Sequence, residues 1–268
     1  MKVSEIPQHT HIHGLAVDRH DPDHLLIATH HGMFRAGPDG TAELVSPVMD
    51  LMGFSPHPED PDMLYASGHP ATGGNLGFIA SGDGGRTWTQ ISPGANGPVD
   101  FHQMAVSPAD PETIYESYRG LQVSRDGGRS WEIVGGAPDR LIDLAASASD
   151  PDRLYAATEA GLLASEDAGR SWSVVLDGPP VTVVEAGPKG SLYAFVFGRG
   201  LVLFDPETRE ITDLGGNFGE DFFLHLSIDP NDPARLFAAT RSGSVLASAD
   251  HERTWSPFGS DSDMEASR

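Results

Sequence analysis

A chain of 268 residues without cysteine can hold no disulfide and no thiolate-bound metal, and leaves the redox compartment undecided. Its formal charge of −22, from 39 acidic and 17 basic residues, argues against nucleic-acid or anionic-membrane partners, whose phosphates need neutralising cations. It has no apolar run long enough to span a bilayer, and its 31 glycines and 21 prolines fit one turn-rich all-β domain over residues 1–268.

The chain opens on Met1-Lys-Val-Ser-Glu-Ile-Pro7, which lacks the apolar core of a signal peptide. The compartment stays open: periplasmic or extracellular if a leader was removed, cytoplasmic otherwise. Six units of similar length follow, near residues 11–48, 49–95, 96–137, 138–178, 179–217 and 218–260. In five of them an Asp-Pro pair (Asp21, Asp60, Asp110, Asp150 and Asp232) introduces a short apolar strand such as Leu25-Leu-Ile-Ala28 or Leu154-Tyr-Ala-Ala157. Pro188-Lys-Gly190 fills the same slot in the fifth unit. Residues 2–6 are candidates for an extra strand on the last unit, and the tail from Ser260 to Arg268 is polar and expected to fray.

All four tryptophans close one recurring turn. The copies are Ser81-Gly-Asp83-Gly-Gly85-Arg-Thr87-Trp88, Ser124-Arg-Asp126-Gly-Gly128-Arg-Ser130-Trp131 and Ser165-Glu-Asp167-Ala-Gly169-Arg-Ser171-Trp172, with a worn fourth from Ser248 through Asp250 to Trp255. The tryptophans lie 43, 41 and 83 residues apart, the last close to two periods. A period of this length built from short strands predicts a six-bladed β-propeller of four-stranded antiparallel blades. Asp and Ser/Thr suit the turn as hydrogen-bonding groups, Gly supplies positive φ, and Trp packs between sheets.

S-x-D-x-G-x-[ST]-W is the Asp-box of the BNR repeat. The chain therefore resembles the sialidase-like, glycosyl-hydrolase-like propellers. The resemblance implies that these turns join third and fourth strands away from the substrate face, so Asp83, Asp126 and Asp167 are read as structural. Sialidases of that superfamily grip a carboxylate with three arginines, the first in Arg-Ile-Pro, and use a Tyr–Glu nucleophile with an Asp acid/base. No Arg-Ile-Pro occurs here, and the early strand carries His11 and His13 instead.

Chemistry in a propeller is expected at one mouth of the channel. The loops assigned there hold His9, His11, His13, Asp50, Asp100, His102, Asp143 and His225 before the first strands. Between second and third strands they hold His30, His31, His69, Tyr118, Arg119, Glu159, Arg199 and Arg241. Eight of twelve histidines fall in this set. His11, His13, His31, His69 and His102 are the candidate metal ligands. Imidazoles without thiolate favour Zn²⁺ or Cu²⁺, and Met33, Met49, Met52 and Met104 are candidate soft ligands. The leading expectation is a non-catalytic, monomeric module that binds a protein partner or a glycan through this rim. The alternative is a glycoside hydrolase or lyase using Asp100, Asp143, Tyr118, Glu159, Arg119, Arg199 and Arg241. Few rim aromatics are in view (Tyr118, Phe101, Phe218), which weighs against sugar binding.

Overall fold

The computed structural model describes residues 1–250 and 254–260. Within them 24 strands form six four-stranded antiparallel sheets, each from four consecutive strands, arranged as a β-propeller. The first strands are Ile12–Val17, Met52–Pro56, Gln103–Val106, Leu141–Ala146, Val181–Ala186 and Phe223–Ile228, and they surround the central channel. The second strands Leu25–Thr29, Leu154–Thr158, Leu192–Val196 and Leu236–Thr240 are buried along their whole length. A strand covered on both faces by neighbouring blades reads as a continuous apolar run, which is why these were conspicuous in the sequence.

Six apolar clusters fill the spaces between adjacent blades. Met33, Leu51, Leu64 and Ile79, for example, join the first two, and Tyr115, Leu121, Leu144 and Leu154 join the third and fourth. The repeated turn locks the outer edge of these interfaces. In the second copy Ser124 Oγ donates to Asp126 Oδ1 (2.8 Å) and accepts from Gly128 N (2.8 Å). Ser130 donates to Asp126 through its backbone N–H (2.8 Å) and its hydroxyl (2.6 Å). Trp131 Nε1 bonds Gly128 O and reaches Ser92 Oγ in the previous blade at 2.8 Å. Gly128 is obligatory: its φ is +82°, and an added Cβ would lie 2.0 Å from the Phe78 ring.

Ring closure departs from expectation. Residues 2–6 add no strand to the last blade; Val3–Gln8 form a 3₁₀ turn instead. Val3 and Ile6 are buried among Phe237, Ala239, Val245 and Phe258 of blade six and Leu15 and Ile27 of blade one. Pro7 sits inside the turn, where a continuous ladder would lose a donor. The first and last blades meet through side chains: Val17 N donates to Ser227 Oγ (3.2 Å), and Arg235 binds Pro22 O (3.1 Å) and Asp23 (3.0 Å).

A candidate ligand site at the channel mouth

Pairing between first and second strands slips at one place in five of the six blades: at His13, between Met52 and Ser55, at Ile142, at Thr182 and at Leu224. Such bulges re-aim side chains, and four of them, at His13, Gly53, Ile142 and Leu224, line one mouth. The mouth leads into a cavity of about 440 Å³, lined among others by His11, His13, Met52, His102, Asp143, Leu224, His225 and Arg241. That volume lies within the usual range for small-molecule sites.

Blades one to three supply imidazoles and carboxylates. His13 is the extra residue of its bulge, so its position relative to His11 does not follow simple strand alternation. Both rings nevertheless converge on His30, at centroid distances of 4.1 Å for His13 and 5.6 Å for His11. Asp50 Oδ1 lies 3.0 Å from His30 Nδ1 and 3.9 Å from His13 Nε2. Both Asp50 Oδ1 and His13 Nε2 are buried; His13 Nε2 has no hydrogen-bond partner, and the Asp50 contact with His30 falls outside hydrogen-bond geometry. Burial and the neighbouring imidazoles of His30, His225, His11 and His102 lower the His13 pKa to about 3, so the ring is neutral at ordinary pH. His225, held by Ile12 O at 3.2 Å, is likewise lowered to about 4 by burial.

Asp100 organises a neighbouring cluster. Its Oδ2 lies 3.0 Å from His69 Nε2 and 3.2 Å from His102 Nε2. His69 Nδ1 is 2.8 Å from Gly74 O, which raises its pKa together with the Asp100 and Asp50 charges. His102 is raised mainly by its bond to Asp100. Burial pushes the Asp100 carboxyl up, but His102 and His69 outweigh it and the net shift is down.

The five sequence-nominated ligands are thus divided. His11 and His13 gather with His30, His69 and His102 gather on Asp100, and His31 lies exposed on the hairpin beyond His30. Comparing blades gives a signal that separates the hairpin pair. Thr29-His-His-Gly32 and Thr158-Glu-Ala-Gly161 make the same turn, each Thr hydroxyl bonding the Gly carbonyl at 2.8 and 2.9 Å. His30 therefore corresponds to Glu159, which pairs with Arg140 just before the first strand of its blade, and His31 corresponds to the small Ala160.

Blades five and six differ. Phe197 and Phe222 pack edge-to-face (5.6 Å), Phe218 lies against Phe223 (5.6 Å), and Arg241 sits 6.0 Å from the Phe222 ring centre. Phe197, Phe218 and Leu224 remain exposed at this edge. The sequence reading missed Phe197 and Phe222 and counted Phe101, which is fully buried beneath Tyr118 and Trp131.

The remaining candidates separate. Arg119 stacks on Tyr118 (5.4 Å), Arg199 pairs with Asp213 and Glu159 with Arg140; of the three arginines, Arg241 lines the cavity. Asp143 keeps some surface toward the channel while protein encloses it, and burial raises its pKa to about 7. Its oxygens accept the Leu144 and Val184 N–H groups, each at 2.9 Å. Glu185, farther down the channel, is raised to about 8 by burial and by Asp143. Of the methionines, Met52 and Met104 line the cavity, whereas Met33 is packed beneath Gly85.

No protein-family model matches the chain. A 90-residue stretch is 36% identical to the oligoxyloglucan-reducing end-specific xyloglucanase of Emericella nidulans, covering 30% of this chain and 11% of that protein. The GH74 xyloglucanase of Xanthomonas campestris superposes with a TM-score of 0.63 at 20% identity, over 92% of this chain and 45% of that one. YCF48 bound to D1 peptide gives 0.55 at 17% identity, over 93% and 81%. The chain therefore shares the propeller fold of glycosidase-type proteins, and spans less than half of either xyloglucanase. Among the described residues, no helix is long and apolar enough to cross a membrane.

Proposed function

We propose that the channel mouth binds a carbohydrate and that the protein is a glycoside hydrolase-type propeller, with Asp143 as the proton donor. The observation that carries this reading is a carboxyl with a pKa of about 7 on the wall of a 440 Å³ cavity that Arg241 also lines. A general acid works best when its pKa lies near the working pH. Asp100, shifted the other way, supplies an ionised carboxylate, and such opposed environments mark acid and base roles. The exposed Phe197 and Phe218 and the Arg241-capped Phe222 offer apolar and cationic faces of the kind that line ligand pockets. The likeness to two xyloglucanases, one in fold and one over 90 residues of sequence, directs the choice of substrate to β-glucans first. The Asp-box turns that resemble those of sialidase-like propellers enter this reading as scaffold alone.

A second reading, binding without hydrolysis, is favoured by the Asp143 hydrogen bonds, since both oxygens are already turned to backbone N–H groups. One experiment separates the two. Xyloglucan and a panel of β-glucans are incubated with wild type and Asp143→Asn, reading reducing ends released and, separately, glycan retention. Hydrolysis lost in Asp143→Asn supports the enzyme. Retention without hydrolysis supports the binding module, and neither retention nor hydrolysis overturns the carbohydrate reading.

A further inference from the structure

We propose that His13, His30 and Asp50 bind one divalent transition-metal ion, Zn²⁺ or Cu²⁺, at the channel mouth. The site is independent of the carbohydrate reading and stands on geometry. Its donors come from three places: the bulge of the first strand, the Thr29–Gly32 hairpin and the segment entering the second blade. A tetrahedral ion with bonds of about 2.0–2.1 Å holds its donors about 3.3 Å apart. The observed separations from Asp50 Oδ1, 3.0 Å to His30 Nδ1 and 3.9 Å to His13 Nε2, bracket that value. All three donor atoms lie within 4.8 Å of one another. His13 and Asp50 would have to approach by about half an ångström to reach the tetrahedral spacing.

The second observation concerns unmet bonding. His13 Nε2 is buried without a hydrogen-bond partner, and Asp50 Oδ1, also buried, contacts His30 Nδ1 at 3.0 Å outside hydrogen-bond geometry, so both atoms keep lone pairs that a metal ion would use. In the second cluster Asp100 Oδ1 is also without a hydrogen-bond partner, but the imidazoles are engaged, His102 Nε2 with Asp100 Oδ2 and His69 Nδ1 with Gly74 O.

The donor set chooses the ion. Two imidazoles and one carboxylate suit zinc or copper, whereas calcium needs six to eight oxygens and magnesium an octahedral shell. Three protein donors leave a fourth position, and His11, its ring 5.6 Å from that of His30, lines the adjoining cavity together with His13. An open position lets water or a ligand complete the coordination.

The test uses the whole chain, stripped with a chelator and titrated with Zn²⁺ and Cu²⁺ by calorimetry, with electron paramagnetic resonance of the Cu²⁺ form. The expected result is one ion per chain with nitrogen hyperfine coupling. His30→Ala and Asp50→Asn should each weaken binding at least tenfold, and His31→Ala less than threefold. His30 is largely exposed, so its variant remains informative even if His13→Ala fails to fold. Absence of stoichiometric binding overturns the proposal. So does equal loss in His31→Ala, or binding abolished by His69→Ala but retained in His30→Ala.

Discussion

The same residue types serve two regions of this propeller in opposite ways. In the repeated turns each aspartate is saturated locally: Asp83, Asp126 and Asp167 all accept from a Ser hydroxyl, from a Thr or Ser backbone N–H and from that residue's hydroxyl. At the channel mouth Asp50 and Asp100 face imidazoles, and each retains a buried oxygen without a hydrogen-bond partner. A carboxylate whose acceptor capacity is used by its own hairpin holds a fold together. One left short of partners in a concave, histidine-lined place is available to a ligand.

Variants in the turns should show the largest effects. Gly128→Ala combines a left-handed backbone with a Cβ inside the Phe78 ring, and should cost about 3 kcal/mol or more in urea unfolding, or prevent folding. Asp126→Ala removes three accepted hydrogen bonds and should cost about 2 kcal/mol. A cost no greater than that of a neutral surface substitution would deny these turns their structural role.

The channel should answer with the opposite sign. Glu185 titrates near 8 in the folded protein, while an unfolded glutamate ionises near 4.5. Between those values the folded state holds the extra proton, so stability falls as pH rises through the window. Glu185→Gln should therefore be more stable than wild type at pH 7.5, by up to about 4 kcal/mol, with the gain vanishing below pH 4.5. A destabilised variant at pH 7.5 would show that this carboxyl is not paying an ionisation cost.

Acid titration should reveal the smallest effect, again on the turns. Their aspartates lie below the usual carboxylate range, Asp167 at about 2, chiefly through the Ser171 hydroxyl and backbone bonds. Their stabilisation is complete above the unfolded pKa near 3.8 and is lost as pH falls through the folded values. A variant with Asn at positions 83, 126 and 167 should thus approach wild-type stability between pH 4 and 2. A gap that stays constant over that range would contradict the assignment.

Much of the scaffold was legible because each blade must solve the same packing problem. The Trp131 turn and the Asp-Pro strand entries recur at the blade period, and local hydrogen bonding explains their residues one by one. The mouth was less legible. That His30 rather than His31 turns to Asp50 depends on hairpin geometry, visible in sequence only by aligning this turn with Thr158–Gly161. His13 is aimed by a bulge, which no alternation pattern reports. The aromatic edge was missed because Phe197 and Phe222 look like strand-flanking core residues, whereas Phe101 has the sequence position of a rim residue and is buried. The 3₁₀ turn at Val3–Gln8 competes with a strand of similar apolar content, and packing of Val3 and Ile6 between the end blades decides the outcome.

The most direct test of this contrast is the unfolding free energy of wild type and Asp50→Asn, each with chelator and with Zn²⁺ at about a hundred times its dissociation constant. The account predicts that Asp50→Asn costs less than about 1 kcal/mol without metal, since the contact it gives up, to the partly exposed His30 at 3.0 Å, lacks hydrogen-bond geometry. With Zn²⁺, wild type should gain about 2.7 kcal/mol and the variant little. An Asp50→Asn protein as destabilised without metal as Asp126→Ala, or one that keeps the full zinc-dependent gain, would contradict the claim that the mouth carboxylate is kept for a ligand.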